Sequence, residues 1–150
     1  MSNNGRAREM IAFRIGAQEF CIPVTSIREI RSWTPATPIP HAPGFVLGVV
    51  NLRGIVLPII DLAARIGHRP AEPTARHAIM VAEVGDQVAG LLVDGVSDIL
   101  TIADEQIQPT PDVASEMAKA FVLGVISLDE RMISLISLSS ILPESEKFAA

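Results

Sequence analysis

The sequence predicts a mostly β fold made of two similar small barrels packed together, with a few short helices. Three observations carry that expectation. Apolar residues recur in short, β-branched runs too brief for long helices; tight turn residues separate those runs; and one such unit occurs twice along the chain.

The elements follow in order. Ile11, Phe13 and Ile15 alternate with Ala12 and Arg14, the stretch Gly16-Ala17-Gln18-Glu19 supplies a turn, and Phe20, Ile22 and Val24 alternate again, which describes a hairpin. A second runs over Leu47 to Leu52 and Ile55 to Ile60 around Arg53-Gly54. The third pairs His77 to Val84 with Gln87 to Val93 around Gly85-Asp86, and another strand, Val96 to Ile102, follows it. A fourth joins Val122 to Leu128 with Met132 to Leu138 through Asp129-Glu130. Short helices are expected from Thr25-Ser26, Asp61, Thr101 and Ser137, where side chains can cap free amides. Pro109 to Ala120 reads as a mobile loop or short helix.

Phe45-Val46-Leu47-Gly48-Val49-Val50-Asn51-Leu52 recurs as Phe121-Val122-Leu123-Gly124-Val125-Ile126-Ser127-Leu128, and without a gap Ile60-Asp61-Leu62 falls on Ile136-Ser137-Leu138. Gly16 to Ile30 similarly resembles Gly85 to Ile99. Each copy alone would bury a marginal core, so the two are expected to pack together with a groove between them. Prolines concentrate in Thr34 to Pro43 and Arg69 to Pro73, which suits surface connections, the second joining the halves.

Composition excludes several classes of function. Of 150 residues, 49% are hydrophobic, yet no apolar run reaches the roughly 18 residues that span a bilayer. Met1 to Glu9 lacks the pattern of a secretion signal, and the lone Cys21 fits a reducing compartment, so a cytoplasmic protein is expected. A net charge of -5, with Lys119 and Lys147 the only lysines, argues against nucleic acid. His41, His68 and His77 are not spaced as metal ligands, no glycine-rich loop ends in Gly-Lys-Ser/Thr, and no nucleophile sits beside a base. The expectation is a protein without catalytic residues, metal or cofactor that works by contact with other proteins.

The run Asn51-Leu52-Arg53-Gly54, followed by Pro58, Asp61 and Leu62, resembles the signature of CheW-type chemotaxis coupling proteins. Phe13 to Ile30, Gly90 to Ile99, and Phe121 to Gly124 with Asp129 to Leu142 resemble the same family's other segments, in family order and spacing. The resemblance implies one domain over 9–143 made of two SH3-like barrels, the first roughly 9–70, with strand exchange open, and the second roughly 76–143. Flexible tails would occupy 1–8 and 144–150. It further implies an adaptor joining the cytoplasmic helical tips of chemoreceptors to the CheW-like regulatory domain of a chemotaxis histidine kinase. Such an adaptor is recruited to receptor arrays at the inner face of the membrane without inserting into it.

By the same resemblance Ile27, Glu29, Gly48 and Arg53 face the receptor, and Ala36, Ile39 and Leu47 face the kinase. Leu47 stands where relatives can carry a polar residue. Glu29 is expected either to pair with Arg53 or to close a capping box over Ser26-Ile27-Arg28-Glu29. Gly48 has two readings, partner contact or close packing within its barrel. The alternatives to chemotaxis are an adaptor of another kinase pathway and a small-ligand-binding barrel.

Overall fold

Strands buried on both faces are near-continuous in apolar residues, and this chain has many of them because each barrel is packed inside and against its neighbour. The structure, a computed structural model, describes residues 7–68, 70–111 and 116–142, with only the backbone of 116–118. In chain order β1 (Ala7–Ile15) and β2 (Gln18–Pro23) form a hairpin, and a 3-10 turn leads into β3 (Ile27–Ser32). The hairpin β4 (Val46–Leu52) and β5 (Ile55–Asp61) ends in helix α1 (Leu62–Arg65). Next come β6 (Ala78–Val84), β7 (Gln87–Val93) and β8 (Gly95–Ala103), a 3-10 turn and β9 (Ile107–Gln108). Helix α2 (Glu116–Phe121), strands β10 (Val122–Leu128) and β11 (Arg131–Ile136), and helix α3 (Leu138–Ile141) complete it.

The strands make a five-stranded sheet in the order β3-β6-β7-β5-β4 and a six-stranded sheet in the order β8-β1-β2-β11-β10-β9. The two orders are the same under the internal repeat, with β9 added. The barrels are not consecutive halves of the chain, however. The hairpin β1–β2 sits among second-half strands and β6–β7 among first-half strands, so the exchange is reciprocal, sealed by the parallel pairs β5 with β7 and β11 with β2. Ala7 and Arg8, expected in a tail, begin β1 because they pair with Ala103 and Ile102 of β8, and Arg8 bonds Asp104 at 2.9 Å. The remaining tail residues, apart from these two, lie outside the described residues, as does part of Pro109 to Ala120, whose end forms α2.

Alternation along β1 shows how the layers arise. Met10 and Ala12 point into the six-stranded barrel with Cys21, Ile102, Ile126 and Ile133, while Ile11, Phe13 and Ile15 point out. The outward set joins Phe20, Ile22, Ile60, Met80, Leu91 and Ile136 in an inter-barrel cluster, the largest of the apolar clusters among the described residues. The five-stranded barrel holds Leu57, Ile59, Ile79, Val81 and Leu92.

Two of the expected helices form. Asp61, 2% exposed, caps α1 by accepting from Ala64 N and holds the following connection by accepting from Ala71 N at 2.9 Å. Ser137 occupies the N-cap of α3 without a side-chain bond to a backbone amide. The other two do not form. After Thr25-Ser26 only the 3-10 turn Val24–Ser26 is present and the chain extends into β3; at Thr101 β8 continues to Ala103 before a 3-10 turn. Edge pairing with β6 and β1 satisfies these backbones as strands.

Candidate functional site

The β4–β5 hairpin turns in two residues, Arg53 at φ +52° and Gly54 at φ +86°, the double left-handed geometry that a type I′ turn requires. Asn51 Oδ1 accepts from Gly54 N at 2.9 Å and locks the turn. This presents Arg53, 68% exposed, at the hairpin tip, where its Nη2 donates to Glu29 Oε2. Arg31 Nη1 donates to Glu29 Oε1 at 3.1 Å. Glu29 therefore pairs with Arg53 and closes no capping box, since it lies on a strand. The hydrogen bonds from Arg53 and then Arg31 hold its carboxyl below the usual range.

β3 and β4 are the outermost strands of their sheet, and curling brings their edges near one another. A pocket of about 50 Å³ lies in the seam, lined by Arg31, Thr34, Val50, Asn51 and Leu52 over Leu57 and Ile79. Glu29 and its two arginines bridge the seam by side chains.

Ile27 and Ile30 share a face because β3 is bulged. Ile27 opposes Ala82 and Glu29 opposes Val81, leaving Arg28 as the extra residue; Ile30 then opposes Met80. Ala82 and Met80 belong to the inter-barrel cluster. Both isoleucines consequently border the groove between barrels, Ile27 half-buried and Ile30 44% exposed.

The same construction occurs on β8, where Ala12 opposes Asp98 and Phe13 opposes Val96, so that Ser97 is the extra residue. Ser97, Asp98 and Ile99 stand at the repeat positions of Arg28, Glu29 and Ile30. Ile99 opposes Ile11, another residue of the inter-barrel cluster, and is 59% exposed. It stands, like Ile30, on the inter-barrel face of an outermost strand. Sequence reasoning missed it, although the repeat that aligns Ile30 with Ile99 was the signal.

Gly48 belongs elsewhere. Along β4, at about 3.4 Å per residue, it stands roughly 17 Å from Arg53. It is buried under the segment that follows β3: Thr37 N donates to Val49 O and Val49 N to Thr37 O, both at 2.8 Å. A Cβ on Gly48 would meet Thr37 O at 2.2 Å. Ala36 and Leu47, both half-buried against the five-stranded barrel's cluster, lie on this side with Gly48, and half-buried Ile39 follows on the same segment. The seven candidate residues thus fall into three places: Ile27 on the inter-barrel face of β3, Glu29 and Arg53 across the seam between β3 and the β4–β5 hairpin, and Ala36, Ile39, Leu47 and Gly48 at the strap. In the other barrel Leu123 takes the bulged place of Leu47 and is 63% exposed, with Gly124 packed under Gln108 as Gly48 is under Thr37.

The second barrel has its own arginine clasp. Arg131 donates through Nε and Nη2 to Glu19 at 2.9 and 2.6 Å, and through Nη1 and Nη2 to Asp98 at 3.1 and 3.0 Å, joining β11, β2 and β8. These bonds lower both carboxyl pKa values from ordinary values of 4.5 and 3.8. A depressed folded-state pKa stabilises the fold above the unfolded value, and that contribution is lost as pH falls through the folded value. Arg131→Met should lower the melting temperature at pH 7, and the two proteins' melting temperatures should converge as pH falls below the carboxyls' ordinary values of 4.5 and 3.8; parallel profiles in a pH series of thermal melts would refute it.

Of the other groups, Cys21 is enclosed in the six-stranded barrel, where burial pushes its thiol up to about 12 and leaves it unreactive at neutral pH. His77 Nε2 lies 3.4 Å from Asp94, and His68 meets the Phe20 ring edge-on. Among the described residues no group of His, Cys, Asp and Glu could hold a metal ion, and no helix is long and apolar enough to cross a membrane.

Comparison with known proteins agrees with this architecture. The CheW-like domain family matches residues 9–146. The chain is 58% identical to the chemotaxis protein CheW of Rhizobium meliloti, over 100% of this chain and 96% of that one. It is 35% identical to CheW of Klebsiella aerogenes, over 93% and 84% respectively. Among solved structures, the scaffolding protein CheW of Thermoanaerobacter tengcongensis superposes with a TM-score of 0.80 at 30% identity, covering 88% of this chain and 90% of that one. With its two barrels, reciprocal strand exchange and matching sequence, the chain belongs to the CheW-like family.

Proposed function

We propose that this protein is a non-catalytic adaptor that couples chemoreceptors to a chemotaxis histidine kinase, working in the cytoplasm at receptor arrays on the inner face of the membrane. The observation that carries the receptor half is the groove: apolar lips Ile27, Ile30 and Ile99 over an inter-barrel floor, with exposed Arg53 held by Glu29 on the strand that carries the first two. An amphipathic helix docks through apolar anchors into such a slot, and the receptor's helical tip is the partner of that shape. Ala36, Ile39 and Leu47 form the kinase-facing surface, meeting the kinase's homologous domain end to end, so that barrels alternate along the contact. Gly48 supports that surface by letting Thr37 lie against β4.

Kinase autophosphorylation with receptor-bearing membranes tests the reading: a large rise only when receptor, kinase and this protein are all present supports it, and none with all three folded and active refutes it. Arg53→Ala should lower that activation by about tenfold or more, as loss of a central arginine contact does. Its melting temperature should stay close to that of the unaltered protein, since solvent screens an exposed ion pair. Glu29→Ala should behave alike, and the double variant should be no worse than either single one. Additive losses would show that the two residues act separately.

A further inference from the structure

The internal repeat sets Phe45 on Phe121, Asp61 on Ser137 and Arg65 on Ile141, the last a cation against an apolar residue. Both phenylalanines join the inter-barrel cluster, and each is tied to the helix of its own barrel. Asp61 N, at the N-cap of α1, donates to Phe45 O at 2.7 Å, and Ser137 N, at the N-cap of α3, donates to Phe121 O at 2.8 Å. The two rings therefore move with different barrels. Arg65, the last residue of α1, meets both: its guanidinium carbon lies 4.5 Å from the Phe45 ring centroid and 4.7 Å from that of Phe121. Its Nε donates to Ile141 O at 2.9 Å and its Nη2 to Ser140 O at 3.0 Å. One side chain thus reaches a ring of its own barrel and, in the other, the equivalent ring and the last carbonyls of α3, its repeat counterpart's included.

We propose that Arg65 is a positioning residue that fixes the angle between the barrels, and with it the spacing between the inter-barrel faces of β3 and β8, where a receptor helix docks. Ile27 and Ile30 belong to one sheet and Ile99 to the other, so that angle decides whether one helix can meet all three. The inter-barrel cluster holds the barrels together, but apolar contact is non-directional and tolerates rocking. Burial lowers the pKa of Arg65, and among the described residues no carboxylate offsets the cost of that desolvation. An apolar side chain of similar length would avoid the cost. It would lack direction, however, because a guanidinium stacks by its flat face and donates in its own plane, and so holds rings and carbonyls of both barrels at set angles. The identity of the partner rests on the adaptor reading; the lock between the barrels does not.

Spin labels on Ser32→Cys in the five-stranded barrel and Ser127→Cys in the six-stranded one read the angle as a distance distribution; both serines are exposed, and the enclosed Cys21 stays unlabelled. Arg65→Met should broaden that distribution by about half or more, as for domains free to move against each other. A second pair, Ser32→Cys with Asp86→Cys, lies within the five-stranded barrel and should keep its distribution. A receptor cytoplasmic fragment should bind Arg65→Met about fivefold more weakly, since only the competent fraction accepts it, and at saturation should restore the narrow distribution. Arg65→Lys keeps the charge but not the fork, serves should Arg65→Met not fold, and should fall between the two. A distribution that stays narrow in both variants, or that broadens with no loss of affinity, would overturn the inference. So would a lowered melting temperature with both readouts unaltered, which is what a merely structural arginine gives. If the distribution broadens but the receptor fragment does not bind the unaltered protein, the adaptor reading fails and the lock stands.

Discussion

Gly48→Asp is expected to destabilise the whole fold, beginning at the five-stranded barrel. At φ +144° the backbone of Gly48 lies where L side chains are strained, and a Cβ there would stand 2.2 Å from Thr37 O, 2.5 Å from Thr37 C and 2.9 Å from Pro38 N. None of these atoms ends a flexible side chain, so the strap must lift off β4. That breaks the paired Thr37–Val49 hydrogen bonds and exposes Ala36 and Leu47 from the barrel's cluster. A buried carboxylate adds desolvation to the strain, and a loss of about 4 kcal/mol or more follows, a large share of a typical domain's 5–15 kcal/mol. Gly44→Asp is the control: a Cβ there meets nothing within 4 Å and the residue is exposed, so the change should stay within about 0.5 kcal/mol. Thermal melts followed by circular dichroism compare the two, and a cooperative, near-unaltered melt for Gly48→Asp would show that the strap is dispensable. Loss of partner binding in such a variant would then follow from a displaced strap, without any contact between Gly48 and a partner.

The strands and turns were legible because their physics is local. Alternation marks β1 and β2, and the two-residue turns at Gly16-Ala17, Arg53-Gly54, Gly85-Asp86 and Asp129-Glu130 all carry a left-handed first residue. The mistaken helix at Ser26 has an instructive cause. Ile27 and Ile30 are three residues apart, the spacing of one helical face, and Ser26 with Glu29 mimics a capping box. A bulge at Arg28 puts residues three apart on one face of a strand as well, and a bulge leaves no mark in hydrophobic periodicity. The reciprocal exchange of β1–β2 and β6–β7 was hidden because hairpins are read as partners of their sequence neighbours, whereas the pairs that place them are parallel and distant. Arg53 and Glu29 were found through family resemblance. Ile99 was within reach of the repeat, which sets it on Ile30, whereas the Arg131 clasp was not, because the repeat sets Arg131 on Ile55 and puts Asp129 where Arg53 stands.

Phe13→Ala should lower the stability of both barrels together. Phe13 is fully buried in the inter-barrel cluster, its ring stacked on Phe20 with centroids 5.9 Å apart. Truncation removes the ring and leaves a cavity that strands locked in two sheets cannot close, at a cost of about 3–5 kcal/mol. For a chain of this size that shifts the melting temperature by roughly 10 °C. Its site makes the result diagnostic, because Phe13 sits on a strand of the six-stranded sheet while the cluster it joins includes Met80, Ala82 and Leu91 from the five-stranded one. With hairpins exchanged between barrels, neither barrel can keep its sheet order while the other unfolds. Trp33, the single tryptophan, packs against the five-stranded barrel's cluster and reports that barrel by fluorescence. Amide exchange of β10 and β11 reports the other. In urea both signals should change at one midpoint in the native protein and at one lower midpoint in Phe13→Ala. A Trp33 transition that stays at the native midpoint while β10 and β11 exchange early would mean that the barrels fold independently, and the groove between them would then be a hinge instead of a fixed slot.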